Sequence, residues 1–290
     1  MTRRPPQRPR RTRPPARRPS QPPRRRPDRA TGPPSQDRRG LGGDQVEGRQ
    51  AVRELLIAGR RRVREVIVAG DADDATGTLG DIVELATELR VPLRRVGAGK
   101  LAALARSEAP QGVVARAAPL EEADLDRLAR RSGAGDASFL LALDGVTDPG
   151  NLGALLRTAE GLGVSGVVLP RHRAVHVTPT VAKAAAGAIE HLPLALVGGL
   201  PSALSRLREL GVWTVGLDMG GEPIDRLTVA EESVVLVLGA EGRGLSRLVR
   251  DRCDVVTAIP RWGRLDSLNV AAAGAIACWE VARRRQPSVG

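Results

Sequence analysis

The sequence has few of the residue types on which several common kinds of functional site depend. Aromatic residues account for 1% of the 290 residues, so a core has to be built mainly from Leu, Val, Ala and Ile. The two cysteines, Cys253 and Cys278, are 25 positions apart and form no CxxC pair, which argues against a structural zinc site and a disulfide framework. The three histidines have neither HExxH spacing nor cysteine neighbours. We therefore expect no bound metal and a cytoplasmic protein.

Long apolar runs are also absent. No stretch approaches the roughly 18 apolar residues that a membrane-spanning helix needs. The arginine-rich start is not followed by the apolar segment of a secretory signal. The sequence therefore predicts no membrane association.

Positive charge is concentrated at the start of the chain. Residues 1–40 contain fourteen of the 45 basic residues and two of the 33 acidic residues, so the net charge of +12 belongs to this segment and the remainder is neutral. The same segment holds eleven of the 22 prolines and almost no large apolar side chain. We expect residues 1–43 to form a disordered tail. The tail either binds nucleic-acid phosphates through counterion release or acts only as a solubilising extension, and we favour the first interpretation.

The next part of the chain has the pattern of a small α/β domain. Helical spacing of apolar residues begins at Val46 and ends before Gly59, and strand and helix patterns then alternate up to the run VVARAA at 113–118. We predict a small α/β domain over residues 44–118. A connecting helix and a Gly/Ser/Ala linker are expected over residues 119–137.

From Phe139 onward, strand and helix patterns alternate regularly. The expected strands lie near residues 139–143, 165–169, 193–197, 212–217, 234–238 and 255–259. The expected helices lie near residues 151–162, 179–190, 201–210, 245–250 and 268–284. This alternation is typical of a parallel sheet with helices on both faces, so we predict a second α/β domain over residues 138–286.

The segment DPGNLGALLRTAE, residues 148–160, joins a predicted strand to a predicted helix and is unusually polar for that position. Asp148 or Asn151 can cap the helix. Capping does not explain Arg157. The structural alternative for Arg157 is a weak surface ion pair with Glu160. Asn151 and Arg157 are therefore candidate site residues.

Two later segments also lie where a strand meets a helix. In VVLVLGAEGRGLS, residues 234–246, Glu241 lies among glycines that either let the backbone approach a ligand or simply form a tight turn. In IPRWGRLDSLNVAAAG, residues 259–274, Ser267 fits the N-cap of the last helix, which would leave Asn269 inside the helix, where Asn is unfavourable. With the first segment, these predict one site at the carboxyl edge of the sheet, without a metal or a catalytic triad.

A possible dinucleotide motif carries less weight. The run GAGKLA, residues 97–102, fits the pattern GxGxxA after a predicted strand. The helix that follows is short, and the acidic residue about 20 positions on falls in the connecting helix rather than at the end of a second strand. We do not expect a dinucleotide cofactor.

The three polar segments, in this order and spacing, resemble the three signature motifs of the SpoU/TrmH family within the SPOUT superfamily. Residues 179–194 resemble the segment between the first two motifs, and the chain from VEGRQAVRELL to APQGVVA resembles the family's ribosomal-protein-like RNA-binding domain. The resemblance covers residues 44–285. Members of the family are S-adenosylmethionine-dependent ribose 2′-O-methyltransferases that act on RNA.

The resemblance implies an α/β fold in which a SPOUT parallel-sheet domain with a C-terminal trefoil knot follows the small RNA-binding domain. It implies an obligate homodimer with composite sites. It implies that backbone groups of Gly239, Ile259 and Leu268 hold S-adenosylmethionine in the knot. The residues that it implies for catalysis and substrate binding are Asn151, Arg157, Glu241, Ser267 and Asn269.

The implied chemistry is attack of a ribose 2′-oxygen on a sulfonium methyl group. Arg157 matches the residue that the family favours for catalysis. An arginine side chain keeps its proton at neutral pH, so we expect Arg157 to bind a phosphate and stabilise alkoxide charge rather than act as a base. The chain departs from the family at Arg261 and Trp262, where Met and a small residue are usual, and at Ala271, where Ser is common. Trp262 either stacks on RNA or is a neutral change.

The expected function is methylation of a guanosine in 23S rRNA. The RNA-binding domain favours rRNA over tRNA, because minimal tRNA-acting relatives often lack that domain. A tRNA methyltransferase is the alternative enzyme. A non-catalytic rRNA-binding or assembly protein on the same fold is a further alternative, although the intact polar residues argue against it.

Overall fold

The first sheet is small and mixed. The computed structural model describes residues 40–70, 77–130, 137–172, 176–264 and 267–285. The sheet has the order β1-β4-β2-β3, in which only β2 and β3 pair in parallel. Its strands are β1 Gln45–Glu47, β2 Val63–Ala69, β3 Leu93–Val96 and β4 Val113–Ala117. Its helices are α1 Arg49–Ala58, α2 Thr78–Glu88 and α3 Ala98–Leu104. We call this part of the chain the small domain.

Helix α1 forms because four apolar side chains at helical spacing, Ala51, Val52, Leu55 and Leu56, are buried against the small sheet. It ends at Gly59, which has the left-handed φ of 59° that glycine tolerates. Val46 belongs to β1 and not to this helix, so the predicted start of the helix was wrong. The three residues of β1 are too few for an alternating pattern to distinguish them from a helix.

The second sheet contains six strands, all parallel, in the order β10-β8-β9-β5-β6-β7. The strands are β5 Phe139–Leu143, β6 Gly166–Pro170, β7 Leu194–Val197, β8 Trp213–Pro223, β9 Val234–Leu238 and β10 Val255–Ala258. The accompanying helices are α4 Leu125–Ala129, α5 Pro149–Gly161, α6 Pro179–Ala184, α7 Leu200–Glu209, α8 Arg247–Arg250 and α9 Val270–Arg285. We call this part the large domain. The predicted parallel α/β sheet is confirmed.

Both faces of the large sheet are covered, as its continuous apolar strands require. Along β5, Leu141 and Leu143 pack into a core with α5, α6 and α9, while Leu140 and Ala142 pack into a second core with α4, α7 and α8. The trefoil knot stays a prediction, because the order of strands does not determine how the chain threads.

Helix α5 lies between α6 and α9 at distances that depend on glycine. A β-carbon on Gly153 would collide with Ala184 and the carbonyl oxygen of Val181 in α6. A β-carbon on Gly274 of α9 would collide with Leu155 of α5. The glycines therefore allow the first polar segment and the last helix to approach each other closely.

The helix predicted over residues 179–190 is interrupted. Helix α6 ends at Ala184, Ala186 and Gly187 have positive φ angles of 50° and 89°, and a short 3-10 helix follows at Ala188–Glu190. A β-carbon on Gly187 would collide with the side chain of Glu54 in α1. The interruption therefore occurs where the small domain packs against the large domain.

Residues 40–43 were predicted as the end of the disordered tail, but they are ordered. Leu41 is buried in the core of the large domain, and its carbonyl oxygen accepts a hydrogen bond from the backbone N–H of Val177 at 2.9 Å. The N–H of Gly43 donates to the carbonyl oxygen of Val177, also at 2.9 Å. The rest of the predicted tail, residues 1–39, lies outside the described residues. The remaining domain boundaries stay predictions, because both domains belong to one compact unit.

Among the described helices, none is both long and apolar enough to cross a bilayer.

Candidate active site

The carboxyl edge of the large sheet opens into a cavity of about 200 Å³, which we call the edge cavity. Four features form it: part of β8, the loop after β9, the loop after β10 and the first turns of α9. Gly239, Ile259 and Leu268, the three residues implied for cofactor binding, all line it. The fold therefore brings these three backbone positions together, and their role in cofactor binding stays a prediction.

The loop after β9 is closed tightly by its own backbone. The N–H of Ala240 donates to the carbonyl oxygen of Gly244 at 3.1 Å, and the N–H of Gly244 donates to that of Ala240 at 3.0 Å. A β-carbon on Gly239 would collide with the Gly244 backbone. Glycine at position 239 is therefore required by the loop, whatever occupies the cavity.

Three of the predicted site residues form a hydrogen-bonded polar cluster. The Asn269 Nδ2 donates to Asn151 Oδ1 at 2.9 Å and lies 3.5 Å from Glu241 Oε1. The Asn151 Nδ2 donates to Glu241 Oε2 at 3.3 Å. Glu241 also lines the edge cavity, so it connects the cluster to the cavity. We use "polar cluster" for Asn151, Glu241 and Asn269.

Capping residues hold two members of the cluster in place. Asp148 is the N-cap of α5, since its Oδ1 accepts a hydrogen bond from the Asn151 N–H at 2.7 Å. The Asn151 side chain is consequently free to point at Glu241. At the start of α9, Asn269 Oδ1 accepts hydrogen bonds from the N–H groups of Ala271 and Ala272 at 2.9 and 3.3 Å.

Asn269 is therefore the N-cap of α9, which begins at Val270, and the predicted placement of Asn269 inside the helix was wrong. The helical pattern could not distinguish Ser267 from Asn269 as the cap, because both are good capping residues. Ser267 instead lines the edge cavity beside Leu268.

Arg157 does not join the polar cluster. It lies six positions after Asn151 on α5, is exposed and is not among the residues that line the edge cavity. In the described part of the chain it makes no hydrogen bond or ion pair, so the alternative of an ion pair with Glu160 is not observed. Arg157 lines a groove of about 780 Å³ between the small and large domains, together with Lys183, Arg106 and Gln111. We call this the interdomain groove.

The sequence did not predict the part of β8 that lines the edge cavity. Val256 of β10 pairs with Gly216 of β8, but the next residue, Thr257, pairs with Glu222. This shift in register lets Leu217, Asp218, Met219 and Gly220 line the cavity. The only sequence signal was an acidic residue and two glycines directly after the apolar run that ends at Leu217.

Asp218 is held by a partner on the neighbouring helix. Its Oδ2 lies 2.6 Å from the Arg250 Nη1, and its side chain is largely buried. Glu241, in contrast, has no cationic partner within the described ranges, so it is the cavity carboxylate whose charge is not neutralised by a direct ion pair.

Nucleophilic cysteine chemistry does not fit this site. Burial raises the pKa of Cys278, and likewise that of Cys253, to about 12, so both thiols stay protonated at neutral pH. Neither cysteine lines the edge cavity. Across the residues whose positions are described, no three His, Cys, Asp or Glu side chains come together as a metal-binding group.

The loop after β10 contains Arg261 and Trp262, two residues at which the chain departs from the family pattern. Arg261 lines the cavity. Trp262 is 93% exposed. Residues 265 and 266 lie outside the described residues, and Ala271 is in the first turn of α9.

Comparison with known proteins agrees with this arrangement of two domains. Residues 138–279 match the SpoU rRNA Methylase family, and residues 45–123 match the family domain described as RNA 2′-O ribose methyltransferase substrate binding. A Staphylococcus aureus (strain MSSA476) protein named as a TrmH family tRNA/rRNA methyltransferase is 38% identical over 241 residues, 83% of this chain and 96% of that protein. The similarly named YacO of Bacillus subtilis (strain 168) is 37% identical over 245 residues, 84% of this chain and 97% of YacO.

Solved structures give the same result. The SpoU methyltransferase AviRb from Streptomyces viridochromogenes, crystallised with the cofactor AdoMet, superposes with a TM-score of 0.70 at 26% identity and covers 83% of this chain and 89% of AviRb. A Porphyromonas gingivalis protein described as a TrmH family RNA methyltransferase has a TM-score of 0.66 at 28% identity, with the same coverage. The chain therefore belongs to the SpoU/TrmH family of RNA methyltransferases.

Proposed function

We propose that this protein transfers a methyl group from S-adenosylmethionine to the ribose 2′-oxygen of a guanosine in 23S rRNA. The observation that carries the proposal is the polar cluster, which reaches the edge cavity through Glu241. A cavity for the donor and a fixed set of small polar groups beside it are what an in-line transfer between two bound molecules requires.

The residues of the edge cavity fit the donor. Leu217, Leu238 and Ile259 give the cavity apolar walls suited to an adenine ring, and the backbone at Gly239 leaves no side chain in the way. The bound donor supplies a methyl group on a positively charged sulfur. The carboxylate of Glu241 favours positive charge in this cavity.

Within the polar cluster, we assign Glu241 the role of positioning the ribose hydroxyl, and we assign Asn151 and Asn269 the role of holding Glu241. The two amide groups donate to separate oxygens of the carboxylate, so the orientation of Glu241 is fixed before the substrate arrives. Ser267, at the wall of the cavity, is a further group for orienting the ribose.

We assign Arg157 to the substrate phosphate and to the charge that develops on the 2′-oxygen. A guanidinium stays charged at neutral pH and binds phosphate oxygens in pairs, so it stabilises negative charge without removing a proton. Its position supports this role, since no carboxylate in the described ranges neutralises it.

We propose further that the active form is a homodimer in which a second copy supplies Arg157. Two observations support this. Arg157 does not line the edge cavity of its own chain. Helix α9 also presents Ala272, Ile276 and Trp279 to solvent on one stripe, with Trp279 57% exposed. An exposed apolar stripe beside an incomplete site favours burial against another copy.

The choice of rRNA rests on the substrate-binding domain that precedes the large domain. The relatives carry a joint tRNA/rRNA name, so tRNA is the alternative substrate. A ribosomal substrate also accounts for the cytoplasmic location that we expect for the protein.

The test is methyl transfer from labelled S-adenosylmethionine to bacterial RNA that lacks its own 2′-O-methyl groups. Wild-type protein is compared with Arg157→Ala, and the product is mapped by its resistance to alkaline cleavage. Arg247→Ala is the matched control, because the Arg247 side chain is 94% exposed. This substitution also removes one positive charge, but from a different part of the surface.

We expect label at one 23S rRNA guanosine, a loss of about 100-fold or more in kcat for Arg157→Ala, and little change for Arg247→Ala. Label in tRNA would support the proposed reaction but would identify tRNA, and not 23S rRNA, as the substrate. A folded dimer that binds the donor and labels no RNA would contradict the proposed activity and favour a non-catalytic RNA-binding protein.

A further inference from the structure

A buried ion pair joins the small domain to the large domain. Arg61, just before β2, donates from Nε to Glu190 Oε2 at 2.8 Å and from Nη2 to Glu190 Oε1 at 2.6 Å. Glu190 lies in the short 3-10 helix after α6. The side chains are 6% and 1% exposed, so both charges are removed from water at the contact between the domains.

The guanidinium of Arg61 has further partners at both ends of the small domain. Its Nη1 donates to the carbonyl oxygen of Gly43, before β1, at 2.5 Å and to that of Ala118, after β4, at 2.7 Å. One side chain therefore fixes the point where the chain enters the small domain, the point where it leaves, and the large domain. A two-pronged pair of this kind has one favourable geometry.

Burial of this pair needs an explanation beyond stability. Taking two charges out of water costs free energy that their attraction only partly returns, so an apolar pair of similar volume is often as stable. An apolar pair, however, makes contacts that do not depend on direction, so it does not restrict the two domains to one relative orientation. The ion pair is thus better suited to fixing an angle between domains than to holding them together.

Other contacts between the two domains also restrain the small domain on the large domain. They share the property that one group comes from each domain: Lys183 Nζ with the carbonyl oxygens of Glu108 and Ala109 at 2.6 and 2.9 Å, Arg60 Nη1 with that of His191 at 2.8 Å, and His191 Nε2 with Glu54 Oε2 at 3.0 Å. The small domain is therefore held at several points around Arg61.

The interdomain groove lies along this boundary, and its small-domain wall is also fixed. Glu47 is buried and accepts hydrogen bonds from the N–H groups of Arg106 and Ser107 at 2.7 and 3.0 Å and from the Ser107 hydroxyl at 2.5 Å. Burial alone would raise the pKa of Glu47, but these hydrogen bonds outweigh it and hold the pKa below its usual value. The wall that carries Arg106 is thus held by an ionised carboxylate.

We infer that Arg61 and Glu190 are positioning residues, which fix the small domain on the large domain so that the interdomain groove is a preformed surface for the RNA backbone leading to Arg157. The inference rests on the proposed function for the nature of the ligand. A groove with Arg106 on one wall and Arg157 on the other can bind a phosphate chain with both walls only if the angle between the domains is set. Fixing that angle in advance removes an ordering cost from RNA binding.

The test replaces the pair with an apolar one, Arg61→Met with Glu190→Leu, and includes Glu190→Gln alone. The control is Arg206→Met with Asp126→Leu, an ion pair at 2.5 Å whose side chains are 44% and 35% exposed. Three quantities are measured: affinity for a 23S rRNA fragment, donor affinity, and hydrogen exchange of the Val177 and Leu120 amides. These amides donate to Leu41 and Gly42 beside the ion pair.

We expect the apolar double variant to keep a melting temperature near that of the wild type and to bind the donor normally. RNA affinity falls tenfold or more, the KM for RNA rises while kcat at saturating RNA is retained, and the two amides exchange faster. The control pair changes none of these. Should Glu190→Gln fail to fold, the double variant alone decides the question.

Unchanged RNA affinity and unchanged exchange in a folded double variant would overturn the inference. RNA affinity and exchange are measured without turnover, so this outcome is distinct from failure of the proposed function. That failure would show instead as a wild-type protein that binds RNA and donor but transfers no methyl group.

Discussion

Asn269 performs two tasks with the two ends of one amide group. Its Oδ1 accepts from the first free N–H groups of α9, and its Nδ2 donates to Asn151 and points at Glu241. The helix cap therefore determines which end of the amide faces the polar cluster. A residue explained fully by its structural role can still be part of the site, and sequence patterns alone do not separate the two tasks.

The two tasks of Asn269 can be separated by changing one atom. Asn269→Asp keeps an oxygen to cap α9, so the melting temperature should stay within a few degrees of the wild type. The second oxygen cannot donate to Asn151 and repels Glu241, so we expect methyl transfer to fall about 100-fold or more. Thermal unfolding and single-turnover transfer measure the two effects.

Asn269→Ala is the comparison for this variant, since it loses the cap as well and should be both less stable, by about 1 kcal/mol, and inactive. Wild-type activity in Asn269→Asp would mean that the polar cluster does not need the amide donor.

At the scale of secondary-structure elements, the strands of the large sheet other than β8 were predictable because each is a short, mostly apolar run between polar segments. Strand β8 begins with such a run but continues to Pro223. The features that were not predictable depend on contacts between distant parts of the chain. The break at Gly187 follows from the packing of α1, and the irregular end of β8 follows from its shifted pairing with β10. Likewise, the sequence pattern singled out Asn151, Glu241 and Asn269, which the fold brings together, but not Asp218, whose place at the edge cavity depends on that shift.

The close packing of α5 gives a matched test within one helix. Gly153→Ala places a β-carbon against the backbone of α6, so we expect it to lower the free energy of unfolding by about 1 to 3 kcal/mol. Gly161→Ala, at the end of the same helix, has open space and should raise it by a few tenths of a kcal/mol, up to about 1. Urea unfolding measures both. Equal effects of the two substitutions would show that α5 and α6 do not pack as closely as described.

At the scale of the whole molecule, the net positive charge and the two folded domains belong to different parts of the chain. The net positive charge of the sequence lies in residues 1–40, while the two domains beyond it are balanced. Leu41 is buried in the large domain directly after that segment, so the basic segment is attached to the folded protein at a defined point.

Deletion of residues 1–39 keeps Leu41 and tests the basic segment without disturbing the fold. We expect weaker RNA binding and a flatter dependence of affinity on salt, with the slope falling by about 0.7 to 0.9 for each RNA phosphate that the shortened protein no longer neutralises. Turnover at saturating RNA should be retained. Binding isotherms at several salt concentrations measure the slope, and an unchanged slope would mean that the segment is only a solubilising extension.

The dependence of the polar cluster on the cap of α9 also has a consequence for the order in which the protein is made. Asn151 and Glu241 are synthesised well before Asn269, and Asn269 is fixed only once the first turn of α9 has formed after it. On a growing chain the cluster is therefore complete only after α9 has folded, so a nascent chain that stops before α9 lacks the ordered cluster.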